Sequence, residues 1–184
     1  IAKDGTSDPA VVASIPAAGG KSVGELTSDL LAKVGEKVDV RRIRRIETTT
    51  GSISSYVHLG NKIGVLVELE GVGPDETGNT IGRNIAMQIA AMNPLVVSRE
   101  QISKEVIERE LEIYKTQATN EGKPAQIVDK IALGKLQKFY EEVCLNEQTY
   151  IKDSAKTIKE FLEEAGKGKG VVIKRFERLH LGEE

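Results

Sequence analysis

Ile63-Gly64-Val65-Leu66-Val67-Glu68-Leu69-Glu70 alternates with a period of two. Ile63, Val65, Val67 and Leu69 fall on one face, and Gly64, Leu66, Glu68 and Glu70 on the other, which is the pattern of a half-buried strand. Ahead of it, Leu59-Gly60-Asn61-Lys62 supplies turn chemistry, because glycine and asparagine tolerate positive φ. Ser52–His58 is then the partner strand, and the pair forms a hairpin rimmed by Gly51 and Gly71. Further upstream, Val38 and Val40 alternate with polar residues before Ile43 and Ile46 break the period. A bulge near Arg41–Arg45 would do that. Val38–Glu47 is therefore expected as a third strand of an antiparallel sheet.

Helices follow. Residues 1–24 are rich in Ala, Gly, Ser and Pro and read as a loop or loosely ordered arm. A short helix is expected over Glu25–Lys33, with Leu26, Leu30 and Leu31 on one face and Gly35 ending it. Ile81, Ile85 and Ile89 mark a helix that Thr80 can cap and Pro94 stops. Ser98 and Gln101 have capping-box spacing for the next helix, whose stripe is Ile107, Leu111, Tyr114 and Ala118. Pro124 opens another, with Ile127, Ile131, Leu136, Phe139 and Tyr140. These two long helices form an antiparallel helical hairpin. A last helix is expected from Ser154 to Gly166 and a final strand over Val171–Leu181. The fold class is α+β, with two small antiparallel sheets, each covered by helices.

Composition narrows the function. Hydrophobic residues make up 39% of the 184, enough for a core, and no apolar run approaches a membrane span. No charged start followed by an apolar stretch opens the chain, and Ile1 is not a start methionine. With 26 basic and 28 acidic residues, a general nucleic-acid binder is not indicated. Cys144 is the single cysteine, which excludes an internal disulfide and fits a reducing compartment.

Candidate chemistry mostly fails. Gly20-Lys21-Ser22 resembles the end of a phosphate-binding loop, but the required first glycine is replaced by Ile15. His58, His180 and Cys144 have no metal-ligand spacing. Cys144 follows an apolar helix end and reads as a buried structural thiol. The carboxylates lie on helices beside basic residues, as solvated faces do. Arg41, Arg42, Arg44 and Arg45 form the one dense basic cluster; they could hold phosphates, or pair with nearby acids on a strand edge. His58, at the mouth of the hairpin, is either a plain turn residue or a contact on a protruding loop. The chain reads as a protein-binding module rather than an enzyme, with Gly51–Gly71 as its working surface.

Several blocks occur in a specific order. Lys33-Val34-Gly35-Glu36-Lys37-Val38 leads into Arg41-Arg42, and Ser55-Tyr56-Val57-His58 into Lys62-Ile63-Gly64-Val65-Leu66-Val67. Ile85-Ala86-Met87-Gln88-Ile89-Ala90-Ala91-Met92-Asn93-Pro94 follows, then Glu121-Gly122-Lys123-Pro124 and Lys135-Leu136-Gln137-Lys138-Phe139. Gln148-Thr149-Tyr150-Ile151-Lys152 and Lys174-Arg175-Phe176 complete the set. Over about residues 33–184 the chain closely resembles translation elongation factor Ts.

That resemblance implies a guanine nucleotide exchange factor for the GTPase elongation factor Tu. Such a factor acts by protein binding, with no cofactor, no metal, no membrane and no direct nucleotide contact. It also implies a bacterial cytoplasmic protein, or one of an organellar matrix or stroma. The implied organisation is an N-terminal arm and short helix (1–37), a core N-subdomain with connecting helix (38–98), a helical hairpin projecting as a coiled-coil arm (99–143), and a core C-subdomain (144–184). By matching blocks, Val34 and Gly35 resemble the contact with a helix of the partner's nucleotide-binding domain. His58 resembles the histidine that approaches that domain near its phosphate-binding loop, and Ile63 and Gly64 join the same partner-binding set. Ile151 and Lys152 resemble the contact with a distal β-domain, although Lys152 replaces an apolar residue found in some members. The family's Thr-Asp-Phe motif and N-terminal helical domain do not occur in the chain. Ile1-Ala2-Lys3-Asp4 resembles the residues just after that motif, and residues 5–28 match poorly. Two other classes stay open: an RNA- or ribosome-binding protein using Arg41–Arg45, and an oligomerisation module, such as a homodimer, using the helical hairpin.

Overall fold

The computed structural model describes residues 8–17, 19–40, 42–58 and 60–183, and the chain divides into two compact units, Ile1–Glu47 and Thr48–Glu184.

In the first unit, helix α1 (Pro9–Ala13) interrupts what the sequence suggested was an unpatterned arm. Its signal is brief. The Asp8 carboxylate accepts from the Ala10 N–H, and Pro9 occupies the first turn, where its missing donor is not needed. A bridge between Pro16 and Ser22 closes the following loop. Helix α2 (Val23–Val34) starts earlier than expected, because Ser22 and Glu25 form a reciprocal capping box. Gly20-Lys21-Ser22 thus serves a helix start, and Lys21 pairs with Asp29. Gly35 ends α2 in the left-handed conformation (φ 73°), donating its N–H to Leu31 O. The expected apolar face is not buried: Leu26, Leu30 and Leu31 are all exposed.

No strand occurs among the described residues of 38–47, against the expectation of a third strand there. The neighbours of the central strand come from the second unit instead. Strand β1 (Ser52–Val57) pairs with β2 (Ile63–Glu70), and β2 pairs on its other edge with β5 (Val172–His180), all antiparallel. Being central, β2 buries more than its pattern suggested: Val65, Val67 and Leu69 are buried, and so is Glu68 on the opposite face. Glu68 is tolerated because Arg175 Nε donates to it at 2.7 Å and Lys174 stands 3.5 Å away.

Helix α3 (Glu76–Met92) packs on β1 and β2 through Ile81, Ile85 and Ile89. Its cap is Asp75, not Thr80: the Asp75 carboxylate accepts from the Gly78 N–H at 2.8 Å. The first turn is polar, so the apolar period starts one turn inside the helix. Asn93, left-handed, and then Pro94 end it.

Ser98 and Gln101 bracket a 3-10 turn rather than capping a helix, and the Gln101 side chain accepts from the Val97 N–H. Ser103 caps helix α4 (Lys104–Asn120). Gly122 (φ 73°) turns the chain into α5 (Ala125–Val143), and the two helices form the expected hairpin. Ile107, Leu111 and Tyr114 meet Leu136, Phe139 and Tyr140 in its seam.

The second sheet is small. β3 (Thr149–Tyr150) pairs with β4 (Asp153–Thr157), which replaces the expected start of a helix at Ser154. Thr157 and Glu160 form the capping box that starts α6 (Ile158–Ala165). Residues of both sheets share one continuous core, in which Val67, Ile85, Leu145, Ile158 and Ile173 are all buried.

Candidate partner-binding site

The hairpin turn positions His58 by its backbone. The His58 N–H donates to Ile63 O, and its carbonyl accepts from the Asn61 N–H, both at 2.9 Å. Gly60 (φ 89°) and Asn61 (φ 55°) supply the left-handed geometry that this turn needs. The exposed imidazole is held from one side, with Nδ1 3.0 Å from the Tyr56 hydroxyl. Ile63 and Gly64 are half-buried at the base of the same turn. Gly64 pairs with Val57 and Leu179, and nothing in the chain crowds its missing Cβ. Its φ is not in the left-handed region. The chain's own packing therefore gives no reason for glycine at 64; it leaves a flat spot next to Val57, on the face of the hairpin opposite His58.

Ile151 and Lys152 form the turn between Tyr150 and Asp153. Ile151 is 43% exposed, and its N–H donates to Gln88 Oε1 at 2.9 Å. The Lys152 ammonium donates to Asn84 Oδ1 at 2.7 Å. Lys152 therefore has a specific place on α3. Sequence reasoning did not find Asn84, Gln88 or Gln148. The available signal was two amides four residues apart on a helix whose other repeating positions are apolar.

Val34 is the last residue of α2 and is 55% exposed, and Gly35 is its left-handed cap. An L side chain at Gly35 would be strained, although space around it is open. The structure thus gathers His58, Ile63 and Gly64 on one hairpin, puts Ile151 and Lys152 on a second turn of the same unit, and puts Val34 and Gly35 at a helix end in the other unit.

Among the described residues, the remaining candidates include a buried thiol and paired arginines. Cys144 is buried, and burial pushes its thiol up to about 11. In the basic cluster, Arg45 pairs with Glu47, and Arg44 donates to Ile43 O at 3.0 Å; Arg41 lies outside the described residues. Among the described residues, no helix is long and apolar enough to cross a membrane.

Comparison with known proteins supplies the family. The family model for elongation factor Ts matches residues 1–183, so it takes in the first 32 residues, which the ordered blocks did not reach. Elongation factor Ts of Clostridium botulinum (strain Alaska E43 / Type E3) is 44% identical over 164 residues, 88% of this chain and 54% of that protein. The Clostridium perfringens (strain SM101 / Type A) protein is 42% identical over 167 residues, 90% and 55% of the two chains. That of Prosthecochloris aestuarii is 43% identical over 166 residues, 89% and 57%. The chain spans about half the length of these curated relatives. On this evidence the chain belongs to the elongation factor Ts family.

Proposed function

We propose that the chain is the nucleotide-exchange core of an elongation factor Ts. It binds elongation factor Tu, prefers the nucleotide-free form, and so promotes GDP release in the bacterial cytoplasm. The observation that carries this reading is that the matched contact residues are surface residues fixed by rigid elements. Val34, His58, Ile151 and Lys152 are exposed, and each sits at a helix end or on a hairpin turn. Surface turns on a rigid scaffold are where binding residues concentrate.

The proposed mechanism needs no nucleophile, general base or metal. A protein that binds the empty partner more tightly than the loaded one must weaken nucleotide binding by the same factor. In this reading, Val34 and Gly35 dock against a helix of the nucleotide-binding domain. His58, at the hairpin tip, approaches that domain's phosphate-binding loop, and Ile151 with Lys152 holds a distal β-domain. Contacts at separate places on the partner bias the position of its nucleotide-binding loop without touching the nucleotide.

The test is release of a fluorescent GDP analogue from elongation factor Tu, followed with and without the chain. Faster release that saturates with chain concentration supports the proposal. Neither binding nor acceleration at micromolar chain would sink it.

A further inference from the structure

We infer that Gln88, on the core helix α3, is a positioning residue that presents Ile151 to the partner; this rests on the reading of Ile151 as a partner contact. Gln88 is fully buried, and all three of its side-chain hydrogen bonds go to the segment 148–151. Oε1 accepts from the Ile151 N–H at 2.9 Å. Nε2 donates to Thr149 O at 3.1 Å and to Gln148 Oε1 at 3.2 Å. Gln148 is fully buried as well, and its Nε2 donates to Glu142 O, in the last turn of α5, at 2.7 Å.

The polarity of this chain of bonds is fixed at both ends. A backbone N–H at Ile151 can only donate, and the carbonyls of Thr149 and Glu142 can only accept. Each carboxamide therefore has one orientation that satisfies every partner. The turn needs this support. β3 is two residues long, and its ladder with β4 is irregular between Thr149 and Tyr150. A two-stranded ladder this short has no independent stability in water. Its own hydrogen bonds cannot hold Ile151 in place, so α3 holds it from beneath. Asn84, one helical turn before Gln88, bonds Lys152, so one face of α3 reaches both turn residues.

An apolar contact residue gains most when it is ordered before the partner arrives, because the cost of ordering it is then not charged to binding. A leucine at 88 would suit the neighbouring core, where Ile85 and Ile89 are fully buried. The amide there makes structural sense as the fixed point from which the turn is hung.

The first measurement uses the unaltered chain. Amide exchange by NMR should find Ile151 protected by at least about 100-fold over an unstructured peptide. An Ile151 amide exchanging at the peptide rate overturns the inference without any variant. Gln88→Met then removes all three bonds at similar volume. Ile151 exchange should rise about 10-fold or more while Val67 and Leu69 change less than about 2-fold. Affinity for elongation factor Tu should fall about 5-fold, and in an Ile151→Ala background the same change should add less than about 2-fold. Equal effects in both backgrounds would show that Gln88 does not act through Ile151. If Ile151→Ala alone leaves affinity unchanged, the contact reading fails, and with it the role of Gln88 in presenting that residue. Protection of the Ile151 amide would then mark only a structural clamp.

Discussion

The Tyr56 hydroxyl and His58 Nδ1 stand 3.0 Å apart, tying an exposed imidazole to a ring packed on the core. Two residues apart on a strand, the side chains share one side of the hairpin. The bond fixes which ring nitrogen faces the hairpin and which faces outward. Tyr56→Phe should reduce the acceleration of GDP release about 3-fold with little change in unfolding temperature, and His58→Ala about 10-fold. Stopped-flow release assays check both. Unchanged rates for both variants would remove the hairpin tip from the exchange surface.

Glu68 makes a pH prediction. Burial pushes its carboxyl up, but hydrogen bonds from Arg175 and Thr48 and the charges of Arg175 and Lys174 together outweigh it, leaving the group below the ordinary glutamate range. A depressed folded-state value stabilises fully above the unfolded value and is lost as pH falls through the folded one. Glu68→Gln should therefore cost about 2 kcal/mol near neutral pH, a figure held down because Arg175 is half exposed. The gap between the two proteins should narrow below about pH 4, and urea unfolding across that range measures it. A gap independent of pH would mean that the pair does not set acid stability.

Much of the sheet was legible where its cause is local. Val65, Val67 and Leu69 alternate, and Gly60-Asn61 sets the turn, so β1 and β2 follow from neighbouring residues. The pairing of β2 with β5 is different. It joins Val67 to Phe176, more than a hundred residues apart, and no local period records it. Val38 and Val40 carry strand propensity without a strand, because propensity says how a residue fits a sheet and not whether a free sheet edge is within reach. Thr80 and Ser98 offered capping chemistry that Asp75 and Ser103 perform instead, and the helix expected from Ser154 starts after its cap at Thr157. Each misplaced start lies within five residues of the true one, and a polar first turn, a 3-10 turn or strand β4 intervenes. The turn residues of the site were visible as ordered blocks. The Gln88–Gln148 bond beneath them was not, since it spans sixty residues and needs the fold before the two amides can meet.

At Gly82, α3 presses close against Ser54 of β1. A Cβ there would sit 2.6 Å from the Cβ of Ser54, closer than any packed pair adopts. Gly82→Ala should destabilise the chain by about 3 kcal/mol, in spite of the better helix propensity of alanine. Adding Ser54→Gly should recover most of that loss, and thermal unfolding of the single and double variants decides it. No recovery would place the strain elsewhere.

Arg99 secures the foot of the helical hairpin. Its guanidinium forks onto Glu147, donates to Gln137 Oε1 at 2.8 Å, and lies 4.2 Å over the Tyr140 ring. Arg99→Lys keeps the charge but loses the planar fork, so it should cost about 1 kcal/mol and speed amide exchange near Gln137 and Glu147. A lysine variant as protected as the parent would show that charge alone suffices.

The two ends of that hairpin are tied side by side. Val96 bridges Cys144, the Leu95 N–H donates to Val143 O, and the Leu145 N–H donates to Val96 O. The backbone thus leaves the core and returns to it at one spot, and beyond Val97 and Glu142, which still serve that core, the outer turns of α4 and α5 are an excursion packed on itself. Such an excursion is free to lengthen, shorten or be exchanged over evolutionary time by whole helical turns, so the reach of the molecule can be tuned separately from its stability.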